Sequence, residues 1–148
     1  MSENMKLIRF YLVLLAICTV GRWGLSLGGA DYDKTHQIFS LVLLTNISSL
    51  YYGLLVRSFV GGGVKRAIVL GATLAIASQL VIFGSTALSY LLGINTFFNH
   101  PRALNATQAL PMGQAMIGRT ITFVANIVTN MISGALGWLI AGVVPRKA

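Results

Sequence analysis

The sequence predicts an all-α membrane protein, with four transmembrane helices in an up-down bundle and both termini on the cytoplasmic side. Three observations predict it. The 148-residue chain is 55% hydrophobic and 9% charged, against roughly 25% charged in an average soluble domain. That leaves too little polar surface to cover a water-soluble core of this size. Segments 37–56, 67–101 and 120–145 contain no Asp, Glu, Lys or Arg. Each reaches the roughly 20 residues that a helix rising ~1.5 Å per residue needs to cross about 30 Å of hydrocarbon. Finally, the eleven basic residues stand in ones and twos between these segments, where lipid headgroups and the insertion machinery favour them. The formal charge of +8 is thus topological. It builds no continuous basic face for nucleic acid, and no nucleic-acid partner is expected.

The first span, residues 7–28, is interrupted by Arg9 and Arg22. They lie roughly 20 Å apart along a helix, so each guanidinium can snorkel to the nearer interface. A secretory signal peptide is the rival reading: Lys6 and Arg9 give a basic start, and Gly28, Gly29 and Ala30 a small-residue cleavage site. Arg22 is an unusual lead-in to cleavage, so the segment is expected to be retained. The second span covers 37–58 and the third 66–92. Between them Gly61, Gly62 and Gly63 permit a tight turn, which makes the two helices antiparallel neighbours. An outer loop, 93–116, holds Asn95, Asn99, His100, Pro101, Arg102, Asn105 and Pro111, all turn-forming chemistry. The fourth span covers 117–143. The whole chain forms a single four-helix transmembrane domain.

Counting basic residues by side orients the bundle. Lys6, Arg9, Arg57, Lys65, Arg66, Arg146 and Lys147 fall on one side, and Arg22, Lys34, Arg102 and Arg119 on the other. The richer side is expected to be cytoplasmic, in a bacterial or archaeal cytoplasmic membrane.

A step of about 100° per residue gathers Arg119, Thr122, Asn126, Thr129, Asn130, Ser133 and Gly137 onto one face of the fourth helix. The third helix repeats the pattern with Gly71, Ala75, Ser78, Ser85 and Ser89, and the second with Thr45, Ser48, Ser49 and Tyr52. Gly24 and Gly28 form a small-xxx-small pair in the first. Such stripes let helices approach closely in lipid; they also could line a polar path. Thr122, Asn126, Asn130, Ser133 and Gln79 are the candidate polar interior. Gln79 and Asn46 lie off their stripes, toward a neighbouring subunit. Trp138 lies deep enough to pack.

Mid-span Asp, Glu and His are absent, which argues against proton-coupled antiport through a buried carboxylate and against a haem held by paired helix histidines. Cys18 stands alone, so no disulfide or multi-cysteine metal site is expected. No metal, catalytic residue or cofactor is expected, and a bound phospholipid is compatible with the sequence. The one concentration of chemical side chains is at the outer interface: Arg22, Arg119, His36, His100, Arg102, Asp31 and Asp33. Arg22, Arg119, His100 and Arg102 are the candidate ligand- or anion-binding residues, because guanidiniums grip phosphate or carboxylate bidentately. The alternatives are simple snorkelling, or an ion pair of Arg22 with Asp31 or Asp33.

Three functions follow in order. The first is a non-enzymatic structural or accessory subunit, embedded in the lipid bilayer, that self-associates as a homo-oligomer or joins a larger membrane complex. The second is a small channel or carrier for a polar or anionic solute, lined by Thr122, Asn126, Asn130 and Ser133. The third is a lipid- or anion-modifying enzyme at the outer face, requiring Arg119 and His100.

Overall fold

The computed structural model describes residues 3–143, and every regular element in that range is helical. Helix α1 spans Glu3–Leu27, the single-turn α2 Tyr32–Thr35, α3 Leu41–Leu55, α4 Val64–Leu91 and α5 Met112–Val143. A 3₁₀ turn, Pro101–Leu104, lies in the long connection before α5. Four segments are long and apolar enough to cross a membrane: Lys6–Leu27, Leu41–Val60, Val64–Leu91 and Met112–Val143. Of the basic residues used for orientation, Arg146 and Lys147 lie outside the described residues.

Local chemistry moves three boundaries from their expected positions. Helix α3 starts at Leu41 rather than 37, because Phe39 adopts φ 53° and breaks the helical path. Ser40 then caps the new start, its Oγ accepting from Leu43 N at 3.4 Å. At its other end α3 widens into a π turn, Val56–Val60, closed by left-handed Gly61 at φ 68°. Of the three glycines in that turn, Gly61 alone adopts positive φ. Helix α5 starts at Met112 rather than 117, since nothing in the intervening sequence stops a helix until Pro111; the loop is correspondingly shorter. Helix α1 begins at Glu3, before the predicted start at 7.

Small residues set the packing of α3, α4 and α5. A side chain at Gly53 would meet the Gly134 carbonyl at 2.1 Å, one at Gly71 the Asn130 carbonyl at 2.2 Å, and one at Gly137 the Leu50 carbonyl at 2.0 Å. Backbone therefore rests on backbone, and dispersion contacts replace the hydrophobic drive that lipid does not supply. Ala67 and Gly134 meet at one level and Thr86 and Arg119 at another, so α4 and α5 run antiparallel. Ser49 meets Asn130 and Arg57 meets Trp138, so α3 and α5 run in the same sense.

Helix α1 packs more loosely on this trio. The Tyr11 hydroxyl donates to the Leu74 carbonyl at 3.0 Å and shares a 3.0 Å hydrogen bond with Thr45. Trp23 Nε1 donates to Ser85 Oγ at 3.3 Å. The expected small-residue seam of α1 is absent, because a side chain at Gly24 would meet open space. Gln79 is buried within the chain rather than turned outward.

The two ends of the bundle differ. At the turn end, beside Gly61–Gly63, Arg57 stacks 4.0 Å from the Trp138 ring centroid and donates to the Trp138 carbonyl. Trp138 Nε1 in turn donates to the Gly62 carbonyl at 2.8 Å. Trp138 thus packs, as its depth in the sequence predicts. The loop end carries α2 and the 93–111 connection, and there the polar chemistry collects.

Candidate functional site

At the loop end the connection from α4 to α5 folds back into the bundle. Gly93 turns it at φ 64°. Asn99 fixes it, its Oδ1 accepting from Thr96 N at 2.7 Å and its Nδ2 donating to the Ile94 carbonyl at 2.9 Å. Phe97 and Phe98 are thereby buried, and Phe97 N donates to Ser26 Oγ of α1 at 2.9 Å. The Phe98 carbonyl becomes the anchor of Arg119, which donates to it from Nη2 at 2.7 Å and to Thr86 Oγ1 from Nε at 3.1 Å. Arg22 donates to the His36 carbonyl at 3.0 Å and lies 5.5 Å and 5.6 Å from the Phe97 and Phe98 ring centroids.

Both guanidiniums line one cavity of about 170 Å³, together with Tyr32, His36, Ser40, Leu41, Val42, Ile82, Phe98 and Ala103. Among the described residues neither has a carboxylate partner. Asp33 Oδ1 accepts instead from Arg102 Nη1 at 2.6 Å, and Asp31 pairs with Lys34 at 3.7 Å. The alternative pairing of Arg22 with Asp31 or Asp33 is therefore not the one the fold makes. The cause is geometric: α2 carries Asp33 toward the 3₁₀ turn rather than toward α1.

The cavity's roof is aromatic. Tyr32 stacks on His100 at a centroid distance of 4.1 Å and 11° between planes, lies near-parallel to His36 at 5.5 Å, and meets Phe97 edge-on at 5.2 Å. His100 Nδ1 accepts from Arg102 N at 3.3 Å. Burial pulls the His100 imidazole below the ordinary histidine pKa; the Asp33 and Asp31 carboxylates oppose that shift and Arg102 adds to it.

Of the four predicted ligand-site residues, Arg22 and Arg119 line the cavity. His100 and Arg102 stand behind its aromatic roof, as positioning residues for Tyr32 and Asp33. Phe98, Thr86 and the Ser40–Val42 corner are not singled out by the sequence, and Tyr32 is legible there only as an interfacial aromatic. The one signal for them is the apolar pair Phe97-Phe98 inside an otherwise polar loop.

The polar face of α5 is largely bonded to its own backbone. Asn126 Nδ2 donates to the Thr122 carbonyl and Asn130 Nδ2 to the Asn126 carbonyl, each at 2.8 Å. Asn130 Oδ1 accepts from Ser49 Oγ at 2.8 Å, tying α5 to α3. The Thr122, Thr129 and Ser133 hydroxyls donate to carbonyls three or four residues earlier. Asn130 is buried, Thr122, Asn126 and Ser133 are half-buried, and Thr129 is exposed, so the predicted quadrant does not turn inward as a unit. Asn46 Oδ1 is buried and has no hydrogen-bond partner among the described residues.

Two guanidiniums without a carboxylate, set in a partly apolar cavity, can bind an anion: charge attraction is stronger away from bulk water, and each planar fork offers paired donors. No protein-family model, curated protein or solved structure matches this chain, so the assignment stands on its own geometry.

Proposed function

We propose that this chain is an anion-binding integral membrane protein whose cavity, on the outer side of the membrane, receives a phosphate or carboxylate between Arg22 and Arg119. The observation that carries this is the pairing of two guanidiniums in one cavity with no carboxylate to neutralise them. A charge placed at membrane depth is costly unless something compensates it. Each arginine here spends part of its donors on the protein: Arg22 on the His36 carbonyl and the Tyr32 side chain, and Arg119 on the Phe98 carbonyl and the Thr86 hydroxyl. The remaining donors and the net charge of two stay available to a ligand. The outer placement follows from the basic residues, which are fewer at the loop end.

The test is thermal unfolding of the purified protein in an uncharged detergent, titrated with octyl phosphate. A ligand that binds only the folded state stabilises it by RT ln(1 + [L]/Kd), about 2.7 kcal/mol at a hundredfold excess over Kd. The wild-type midpoint is expected to rise with probe concentration, and the Arg22→Gln/Arg119→Gln double variant to show no rise. An equal rise in both proteins would sink the assignment.

A further inference from the structure

The anion site just proposed leaves its occupant unnamed, and the shape of the bundle beneath it supplies one. We propose that the cavity holds the phosphate of a membrane lipid whose hydrocarbon chain leaves sideways, through a cleft between the loop-end halves of α3 and α5. This inference rests on the anion-binding reading.

The cleft follows from where the two helices touch. A step of about 100° per residue puts Val42 and Asn46 on the same face of α3 as Ser49 and Gly53, the face that meets α5. Along that face burial falls away toward the loop end: Gly53 and Ser49 are buried, Asn46 is half-buried, and Val42 is 39% exposed. The matching face of α5 runs Gly134, Asn130, Asn126, Phe123 and Arg119. Its buried residues are Gly134 and Asn130, and between Ala115 and Asn130 no residue of α5 is buried. Contact between the two helices is thus closest at the glycine crossing and thins toward the two arginines. Val42 stands where the cavity meets that face, since it lines the cavity and is partly exposed.

Size and chemistry then choose the occupant. A volume of about 170 Å³ is some ten times what a single water needs (~15 Å³), yet below the roughly 300–1,000 Å³ of sites that engulf a drug-sized ligand. It fits a headgroup and not a whole amphiphile. The walls formed by Leu41, Val42, Ile82 and Phe98 would strip water from a free hydrated anion without replacing its hydrogen bonds. A lipid presents apolar carbons to those same walls. The donors favour phosphate over carboxylate by number. Beyond both guanidiniums, the Leu41 and Val42 N–H groups at the start of α3 have no backbone acceptor among the described residues, as at any helix N-terminus.

The experiment compares two probes on the purified full chain in uncharged detergent, dodecyl phosphate and inorganic phosphate, and reads apparent affinity from the unfolding midpoint. Wild type is expected to bind dodecyl phosphate at least tenfold more tightly than inorganic phosphate. Asn46→Trp, which fills the cleft one turn along α3 from the cavity at a half-buried position outside its lining, is expected to lose at least tenfold for dodecyl phosphate and to keep its affinity for inorganic phosphate. Arg22→Gln is expected to weaken both probes. Equal binding of the two probes, or dodecyl phosphate binding indifferent to Asn46→Trp, overturns the lipid inference and leaves the anion site standing. Binding indifferent to Arg22→Gln, or no binding of either probe, overturns the anion site itself and the lipid inference with it. Each variant is compared with wild type by its midpoint without probe. Should Arg22→Gln fail to fold, Asn46→Trp alone decides the lipid inference.

Discussion

His100 links the fold to pH. Its imidazole is stacked on Tyr32 and its Nδ1 accepts a backbone N–H, so the fold holds the neutral ring and burial depresses its pKa. Between the lowered folded value and the ordinary value near 6.5, the unfolded chain binds more protons than the folded one. Stability from this group is therefore complete above about pH 6.5 and is lost as pH falls through the folded value. The unfolding midpoint is expected to drop between pH 7.5 and pH 5, with a smaller drop in His100→Gln; an identical drop in the two proteins would remove His100 as the cause. At this scale the sequence names the charged groups and not their partners. Arg22 and Arg119 are legible because arginine inside an apolar span has few places to go. Thr86, Phe98 and Tyr32 are ordinary residues that become part of a site only when a loop folds back on the helices, which no helical periodicity encodes.

At the scale of the helix, two glycines that look alike in sequence behave oppositely. A side chain at Gly137 would stand 2.0 Å from the Leu50 carbonyl, whereas one at Gly24 would meet nothing. Gly137→Ala is expected to destabilise the protein by about 1–3 kcal/mol, the usual range for overpacking. Gly24→Ala is expected to be neutral or stabilising by up to about 1 kcal/mol, because alanine restricts the unfolded chain and favours helix. Unfolding in mixed micelles measures both, and equal effects would refute the assigned crossing. Both glycines sit at helical spacing from other small residues, so periodicity flags the pair and cannot say which one faces a helix. Gly21 makes a related point. The Phe39 ring lies where its side chain would be, 2.7 Å away, which seats the left-handed Phe39 and thereby the start of α3.

At the scale of the whole molecule, the four spans are the most legible feature, because span length and absence of charge are properties of sequence alone. Orientation is read from charge, and it carries its own test. With Cys18 replaced by serine, a cysteine placed at Gly62 in the turn or at Asn105 in the long loop can be labelled with an impermeant maleimide in intact cells. Labelling is expected at 105 and not at 62; the reverse pattern would invert the topology and place the cavity on the cytoplasmic side. The antiparallel course of α3 and α4 is legible from the short glycine turn between them, but the thinning contact of α3 with α5 is not, since it depends on which small residues find each other across space.

The uneven grip of the bundle has a mechanical consequence. The Arg57–Trp138 stack and the glycine crossing rivet α3 and α5 at one end, and from Asn130 the arm of α5 runs eleven residues, about 16 Å, to Arg119, which ties it to Thr86 of α4 and to the Phe98 carbonyl. Turning that arm by about 5° at the rivet shifts its tip by roughly 1.4 Å, half the length of a hydrogen bond. A tilt too small to disturb the crossing is therefore large enough at the tip to lengthen or shorten the hydrogen bonds that hold Arg119 to Thr86 and Phe98.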